Sequence, residues 1–259
     1  MTESYGAFAW AYDQALGRRF FNAVRKLLDD ALERYPSAVK THLDVACGTG
    51  IAVRYFADRG WQSVGVDASL PMLAVARGRM ARVVAGDFRA IPLRGTFARV
   101  TSLYDSLNHI KDRSELVAVF RAVARSMNGD SLFFFDMNHP EIYPEVWGTS
   151  EPFTASGEGY HLEIDTSYRK REALGRALVT GWADLAGGRV KIREVHEQRA
   201  WSERDITRSL GDAGLQVVDV IGFDPFHELD SLVAEGVKMF FVCRKTGARQ
   251  QSIMKEEHS

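Results

Sequence analysis

The feature that most constrains the fold is an alternation of two patterns between residues 42 and 138. Short, continuously apolar runs alternate with longer stretches whose apolar residues recur at helical spacing. Such runs are typical of parallel strands that helices cover on both faces. The repeated strand and helix therefore predict an α/β chain with a doubly wound sheet. Strands are predicted at residues 42–46, 63–67, 82–87, 99–105 and 131–138, and the clearest helix at 113–127.

This alternation is interrupted once. Between residues 153 and 200 we predict no helix but three alternating strands, which form an inserted antiparallel β meander. Ser202 and Asp205 then form a capping box that starts a short helix. Two further strands are predicted at 215–223 and 237–245. The resulting divisions are a helical segment at 1–38, an α/β domain at 39–138 and 202–247, the meander at 139–201 and a disordered tail at 248–259.

Composition narrows the class of protein. The net charge of −1 gives no basic surface that would favour nucleic acid or an anionic membrane. Two distant cysteines suggest neither a disulfide framework nor a metal site. The first residues lack a signal-peptide pattern, and no apolar run reaches the roughly 18 residues of a membrane span. We expect a cytoplasmic protein that is a monomer or a homodimer.

The turn after the first predicted strand reads HLDVACGTG, residues 42–50. A nucleotide triphosphatase would need Gly-Lys-Ser/Thr here, but Ile51 follows Gly50. A dinucleotide site would need a third glycine, but Val53 stands in that place. The turn therefore predicts a ligand that lies close to the backbone and has no phosphate group bound by a lysine of the turn.

Acidic residues at three strand ends indicate what that ligand is. Asp44 can receive an ammonium group, and Asp67 can bind the two hydroxyls of a ribose. Asp87 can accept a hydrogen bond from an adenine amino group, with Phe88 beside the ring. A ligand with an amino acid end, a ribose and an adenine satisfies all three. S-adenosylmethionine has this structure.

Four motifs in this order, DVACGTG, VDAS, AGDF and YDSLNHI, resemble those of class I S-adenosylmethionine-dependent methyltransferases. The resemblance spans roughly residues 5–245 and looks closest to a small-molecule group with an N-terminal Y..FA..YD segment and a β meander after the fifth strand. It implies a Rossmann-like, seven-stranded sheet with its last strand antiparallel, and an N-terminal lid that includes Tyr12. The chain departs from the family pattern at Ala46, where glycine is usual, and at His109, where an aromatic residue is frequent.

Residue by residue, the motifs and the resemblance imply a cofactor site in which Cys47 is a small, passive side chain. Tyr104 and His109 are the candidate catalytic residues, and His109 would act as a general base. The expected cofactor-binding residues are Tyr12, Asp44, Ala46, Cys47, Gly48, Gly50, Asp67, Ala68, Met72, Gly86, Asp87, Phe88, Tyr104 and Asp105. The expected substrate-binding residues are Asn108, His109, His196, Arg199 and Trp201.

The predicted reaction is an in-line transfer of the methyl group to a nitrogen or oxygen of a small molecule, which leaves S-adenosylhomocysteine. Three alternatives stay open at this point. They are an NAD-dependent oxidoreductase, a non-catalytic adenosyl-binding protein, and a methyltransferase that acts on RNA or protein.

Overall fold

The computed structural model describes residues 3–148, 151–224 and 237–247. Within these residues, seven strands form one sheet in the order β3-β2-β1-β4-β5-β11-β10, in which β11 runs in the direction opposite to the other six. The prediction of a seven-stranded sheet with an antiparallel last strand is confirmed. The strands are β1 (Thr41–Val45), β2 (Gln62–Asp67), β3 (Val83–Ala85), β4 (Phe97–Ser102), β5 (Met127–Asn138), β10 (Leu215–Phe223) and β11 (Lys238–Lys245).

Helices cover both faces of this sheet. On one face, Phe120 and Ile206 pack with the aromatic side chains Phe133 and Phe135 of β5. On the other face, Leu28 and Phe56 pack against Phe134 and Phe240, among others. The strands read as continuously apolar because each of their faces has a helical layer against it. The helices are α1 (Glu3–Tyr12), α2 (Arg18–Arg34), α3 (Ile51–Asp58), α4 (Leu70–Gly78), α5 (Arg113–Arg125) and α6 (Glu203–Asp212).

The meander is a second, antiparallel sheet of four strands rather than the three that we predicted. Its strands are β6 (Phe153–Gly157), β7 (Tyr160–Arg169), β8 (Leu174–Leu185) and β9 (Gly188–Arg199). The extra strand, β6, is a short and mostly exposed edge strand without an alternating apolar pattern. Backbone pairing with β7 fixes its position, and such pairing leaves no signal in the sequence.

Helix α1 joins the two sheets. Its buried residues Ala7, Phe8 and Ala11 form one apolar cluster with Leu162 and Val179 of the meander. A five-residue π-helical turn, Asp13–Gly17, then leads from α1 into α2. The N-terminal segment is therefore packed between the meander and the strand ends of the main sheet.

Several predicted boundaries differ from the structure. Strand β4 ends at Ser102 and not at residue 105, because Tyr104 and Asp105 have left-handed backbone conformations with φ of 62° and 48°. Ser202 begins α6 as predicted, since its hydroxyl accepts a hydrogen bond from the amide of Asp205 at 3.1 Å. The predicted tail at 248–259 lies outside the described residues. Among the residues that are described, no helix has the length and apolarity to cross a membrane.

Candidate active site

A cavity of about 760 Å³ lies at the carboxyl ends of β1, β2 and β4 and extends to the meander. Its volume is in the upper part of the ~300–1,000 Å³ range of small-molecule sites. The strand order reverses beside β1, and ligands of doubly wound sheets bind at such a switch point. Among the predicted cofactor residues, those that line it are Tyr12, Ala46, Cys47, Gly48, Asp67, Ala68, Met72, Phe88, Tyr104 and Asp105.

The two glycines of the turn have different roles. Gly48 has φ of 52°, lines the cavity, and a Cβ added there would meet no atom within 4 Å. Gly50 has φ of 75°, and its added Cβ would lie 2.9 Å from the Cβ atoms of both Ala76 and Ala81. Gly48 therefore leaves open space for a ligand, whereas Gly50 allows close packing beneath the turn. Ala46 also has a left-handed backbone conformation, with φ of 57°, although it is not a glycine.

Asp67 connects the turn to the end of β2. One carboxylate oxygen accepts a hydrogen bond from the amide of Gly48 at 2.8 Å, and the other accepts one from the amide of Ser69 at 2.7 Å. Burial raises the pKa of this carboxyl above its ordinary value, although the backbone hydrogen bonds oppose the rise. Each carboxylate oxygen can accept a further hydrogen bond. Asp67 can thus hold the turn and receive ligand hydroxyls at once.

Asp44 lies outside the cavity lining, at the end of a buried chain of hydrogen bonds. The hydroxyl of Thr101 donates to Asp44 at 2.5 Å, and the ring of His42 links Thr101 (2.9 Å) to Ser63 (2.8 Å). Burial raises the pKa of Asp44 from 3.8 to about 7, although the bond from Thr101 opposes the rise. The sequence predicts that Asp44 receives the ammonium group of the ligand, but Asp44 does not line the cavity.

Asp87 and Gly86 also lie away from the cavity, but Phe88 lines it. The carboxylate of Asp87 pairs with Arg89 at 2.6 Å on the surface, where its side chain is 43% exposed. The bonds to Arg89 hold the pKa of Asp87 below its ordinary value. At Gly86, an added Cβ would lie 2.6 Å from the ring of Pro92, so this glycine serves packing.

The turn after β4 carries two left-handed residues, Tyr104 and Asp105. This conformation costs a non-glycine residue about 1–2 kcal/mol, so other contacts must hold it. Asp136 of β5 accepts hydrogen bonds from the amides of Tyr104 at 2.6 Å and of Asp105 at 3.1 Å. The Tyr104 hydroxyl is buried in this region and has no hydrogen-bond partner among the described residues. The turn therefore brings Tyr104 to the cavity lining while its hydroxyl stays buried.

Lys238, the first residue of β11, completes this arrangement. Its ammonium lies 2.5 Å from Asp105 and 2.9 Å from Asp136, and Gln198 of β9 also donates to Asp105. Burial opposes charge on both partners, but the ion pairs outweigh it, lowering the pKa of Asp105 and raising that of Lys238. Our sequence reasoning missed Lys238, Asp136 and Gln198 as site residues. A lone lysine before the apolar run MFFV was the signal that we did not use.

Two histidines line the cavity near this cluster. Nδ1 of His109 lies 3.1 Å from the carbonyl of Glu197. A carbonyl only accepts, so Nδ1 carries a proton, and in the uncharged form of this ring the lone pair is on Nε2. The His196 ring lies 6.0 Å from that of His109 and 5.0 Å from that of Phe8. Burial lowers the pKa of His196 to about 4, so its ring is neutral at physiological pH.

The other predicted substrate residues are not at the cavity. Asn108 is fully buried and links the backbone of Arg199 to that of Asn138. Trp201 is 2% exposed, and its indole donates to the carbonyl of Ile110 at 2.9 Å. The guanidinium of Arg199 lies over the Trp201 ring at 4.7 Å. These three residues attach the end of the meander to the α/β core, and we leave them out of the site.

The fold and this site define a class I, Rossmann-like methyltransferase architecture. A family model described as a methyltransferase domain matches residues 43–129. A protein named as a methyltransferase in Geobacillus sp. (strain WCH70) is 34% identical over 257 residues, which cover 93% of this chain and 100% of that protein. The chain belongs to this methyltransferase family, and the resemblance to S-adenosylmethionine-dependent enzymes is confirmed.

Two further comparisons describe the range of relatives. The dTDP-3-amino-3,6-dideoxy-alpha-D-glucopyranose N,N-dimethyltransferase of Streptomyces fradiae is 31% identical over 154 residues, covering 58% of this chain and 56% of that enzyme. The crystal structure of an S-adenosylmethionine-dependent methyltransferase from Clostridium acetobutylicum has a TM-score of 0.76 at 21% identity, covering 93% of this chain and 98% of that one. At this identity the structural likeness supports the fold.

The different roles of the two glycines can be tested by substitution. We expect Gly48→Ala to lower the free energy of unfolding by about 1–2 kcal/mol, the cost of the left-handed backbone alone. Gly50→Ala adds a clash with Ala76 and Ala81, so its total cost is about 2–5 kcal/mol. Urea unfolding of both variants gives the comparison. Equal losses would contradict the packing role of Gly50.

The raised pKa of Asp44 predicts a pH dependence of stability. The folded protein holds a proton on Asp44 that the unfolded chain releases, so this contribution is complete below about pH 4 and is lost as the pH rises through about 7. The difference in unfolding free energy between wild type and Asp44→Asn should therefore fall by up to about 1.4 kcal/mol per pH unit in this window. Urea unfolding from pH 4 to 8 measures it, and a difference that does not vary with pH would refute the assignment.

Proposed function

We propose that this protein transfers the methyl group of S-adenosylmethionine to the nitrogen of a small-molecule amine. The observation that carries the proposal is one continuous cavity, lined by Gly48 and Asp67 at one end and by His109 and the meander at the other. Such a space can hold two ligands in contact. The dimethyltransferase relative is named for transfer to an amino group, which favours nitrogen over oxygen as the acceptor atom.

The cofactor end of the cavity offers a matching group for each part of the adenosyl ligand. The carboxylate of Asp67 has free acceptor capacity for ribose hydroxyls, and Met72 and Phe88 supply apolar surface for adenine. Gly48 leaves room for the methionine portion, near the rings of Tyr12 and Tyr104. When bound, S-adenosylmethionine supplies an activated methyl group, so the protein mainly positions the reactants and excludes water.

The protein's chemical contribution would be removal of a proton from the amine. His109 fits this role because Nδ1 donates to the carbonyl of Glu197, so that Nε2 is the nitrogen that can accept a proton. Tyr104 contacts the same cavity and would face the sulfonium as an electron-rich ring. Tyr104 and Asp105 reach these positions through the turn that Asp136 and Lys238 hold.

The three parts of the chain would then have distinct tasks. The α/β domain at 39–138 and 202–247 binds the cofactor, and the meander at 139–201 forms the wall against the acceptor. The segment at 1–38 acts as a lid, because Phe8, Tyr12 and Leu16 cover the cavity between those two parts. A role of the meander in oligomerisation stays a prediction.

Replacing His109 tests the chemistry. We expect His109→Gln to lower kcat by on the order of 100-fold or more, since glutamine cannot accept the amine proton. KM for S-adenosylmethionine should stay near the wild-type value. Release of S-adenosylhomocysteine in the presence of a panel of small amines is the measurement.

The matched control is His161→Gln, on β7, where His161 pairs with Ser156 at the surface and does not line the cavity. This variant should keep the wild-type rate. Unchanged turnover in His109→Gln would remove His109 from the mechanism. No release of S-adenosylhomocysteine with any amine would count against the proposed transfer itself.

A further inference from the structure

The meander side of the cavity is largely apolar and contains small or branched side chains, with Thr154, Thr166 and His196 as its polar members. Ile164 of β7 and Ala177 and Val179 of β8 point to one face of the sheet and line the cavity, and their relative exposures are only 4–7%. Ala155 and Phe153 of β6 extend the same wall. Two of the wall residues, Ala155 and Ala177, have small side chains, so the cavity is deeper at these positions than larger side chains would allow. This wall fits a hydrocarbon or aromatic body.

A second feature brings an aromatic side chain to the edge of this wall. Gly175 of β8 lies against Tyr143 and Trp147, and an added Cβ would be 2.5 Å from a ring carbon of Tyr143 and 2.7 Å from one of Trp147. The missing side chain thus lets both rings pack directly on the strand, where their centroids lie 5.0 Å apart and their planes are tilted by 57°. Trp147 lines the cavity beside Val146. The apolar surface therefore continues from the meander to the loop before it.

The charges around the cavity do not suit a diphosphate. The lining acids are Asp67, Asp105 and Glu151, and the lining cations in the described part of the chain are Arg19 and Lys238. Lys238 already contacts two carboxylates, Asp105 and Asp136. Phosphate groups are usually bound by several arginine or lysine side chains or by backbone amides at a helix start. A diphosphate here would meet more carboxylates than available cations.

The polar groups at the junction of the two halves accept hydrogen bonds. With Nδ1 of His109 donating to Glu197, Nε2 is the acceptor nitrogen of the uncharged ring, and the carboxylate of Asp105 lines the same space. Nε2 of His196 is buried and has no partner among the described residues, and it can accept a hydrogen bond when Nδ1 carries the ring proton. An amine nitrogen supplies N–H donors to such acceptors, whereas an anionic group would be repelled by Asp105. The recognition chemistry is therefore that of an amine at the end of an apolar molecule.

We infer that the acceptor is a small amine with a hydrocarbon or aromatic body, and not a nucleoside-diphosphate-linked amino sugar. The inference rests on the proposed function, since it names the substrate class of the same site. It separates this protein from the sugar N,N-dimethyltransferase that it resembles over part of its length.

A homologous series of amines tests the inference by binding alone. Calorimetry of the full-length protein saturated with S-adenosylhomocysteine would give Kd for butylamine, hexylamine and octylamine, and for dTDP-3-amino-3,6-dideoxyglucose. Each buried methylene contributes ~0.8 kcal/mol, so affinity should rise about threefold to fourfold per methylene. The nucleotide sugar should bind more weakly than hexylamine.

A wall variant with a matched control makes the test specific. Val179→Thr replaces a methyl group with a hydroxyl at the wall, and should weaken hexylamine binding about fivefold to tenfold while leaving S-adenosylhomocysteine binding unchanged. Val195→Thr makes the same change on the opposite face of the meander, where the side chain is 44% exposed, and should change neither.

Each outcome has a separate meaning. Affinity that does not depend on chain length, tighter binding of the nucleotide sugar, or no binding of any alkylamine to the loaded protein would overturn the inferred substrate class. Each of these results would leave the proposed methyl transfer standing. Failure of S-adenosylhomocysteine itself to bind would instead overturn the proposed function.

Discussion

The site depends on the buried cluster of Lys238 with Asp105 and Asp136. It joins three parts of the chain, because Lys238 begins β11, Asp136 lies on β5 and Asp105 also accepts a hydrogen bond from Gln198 of the meander. Asp136 in turn holds the left-handed turn that places Tyr104 at the cavity. Removing one partner of a buried ion pair leaves a charge uncompensated, which typically costs about 3–5 kcal/mol. The cluster therefore contributes both to the geometry of the cavity and, through Gln198, to the attachment of the meander.

The sheet topology explains why these groups meet. Strands β1, β2 and β4 are parallel and adjacent, so the residues at or just beyond their carboxyl ends, including Gly48, Asp67 and Tyr104, gather at one edge of the sheet. The antiparallel direction of β11 places its first residue, rather than its last, at this same edge. A lysine at the start of β11 can thus neutralise carboxylates at the carboxyl ends of the parallel strands.

Much of this arrangement could be predicted from the sequence because it depends on local patterns. Buried strands, the Gly48 turn and the acid Asp67 have signatures of composition and spacing. The pairing of Lys238 with Asp105 joins residues far apart in the chain, and the exposed strand β6 is fixed only by its partner. Asn108 and Trp201 looked like binding residues because they are polar or aromatic and lie near motifs, yet their partners are backbone groups of the core. Periodicity does not reveal which way such a side chain points.

Thermal unfolding with S-adenosylhomocysteine shows whether the turn that contains Gly48 and is held by Asp67 binds an adenosyl ligand. A ligand that binds only the folded state adds about 2.7 kcal/mol at a hundredfold excess over Kd. We expect such stabilisation in the wild type and in the Asp87→Ala variant, because the wild-type carboxylate of Asp87 lies in a surface ion pair with Arg89. We also expect no stabilisation by NADH, and loss of the effect in Asp67→Ala. Stabilisation by NADH alone, or an undiminished effect of S-adenosylhomocysteine in Asp67→Ala, would contradict binding of an adenosyl ligand at this turn.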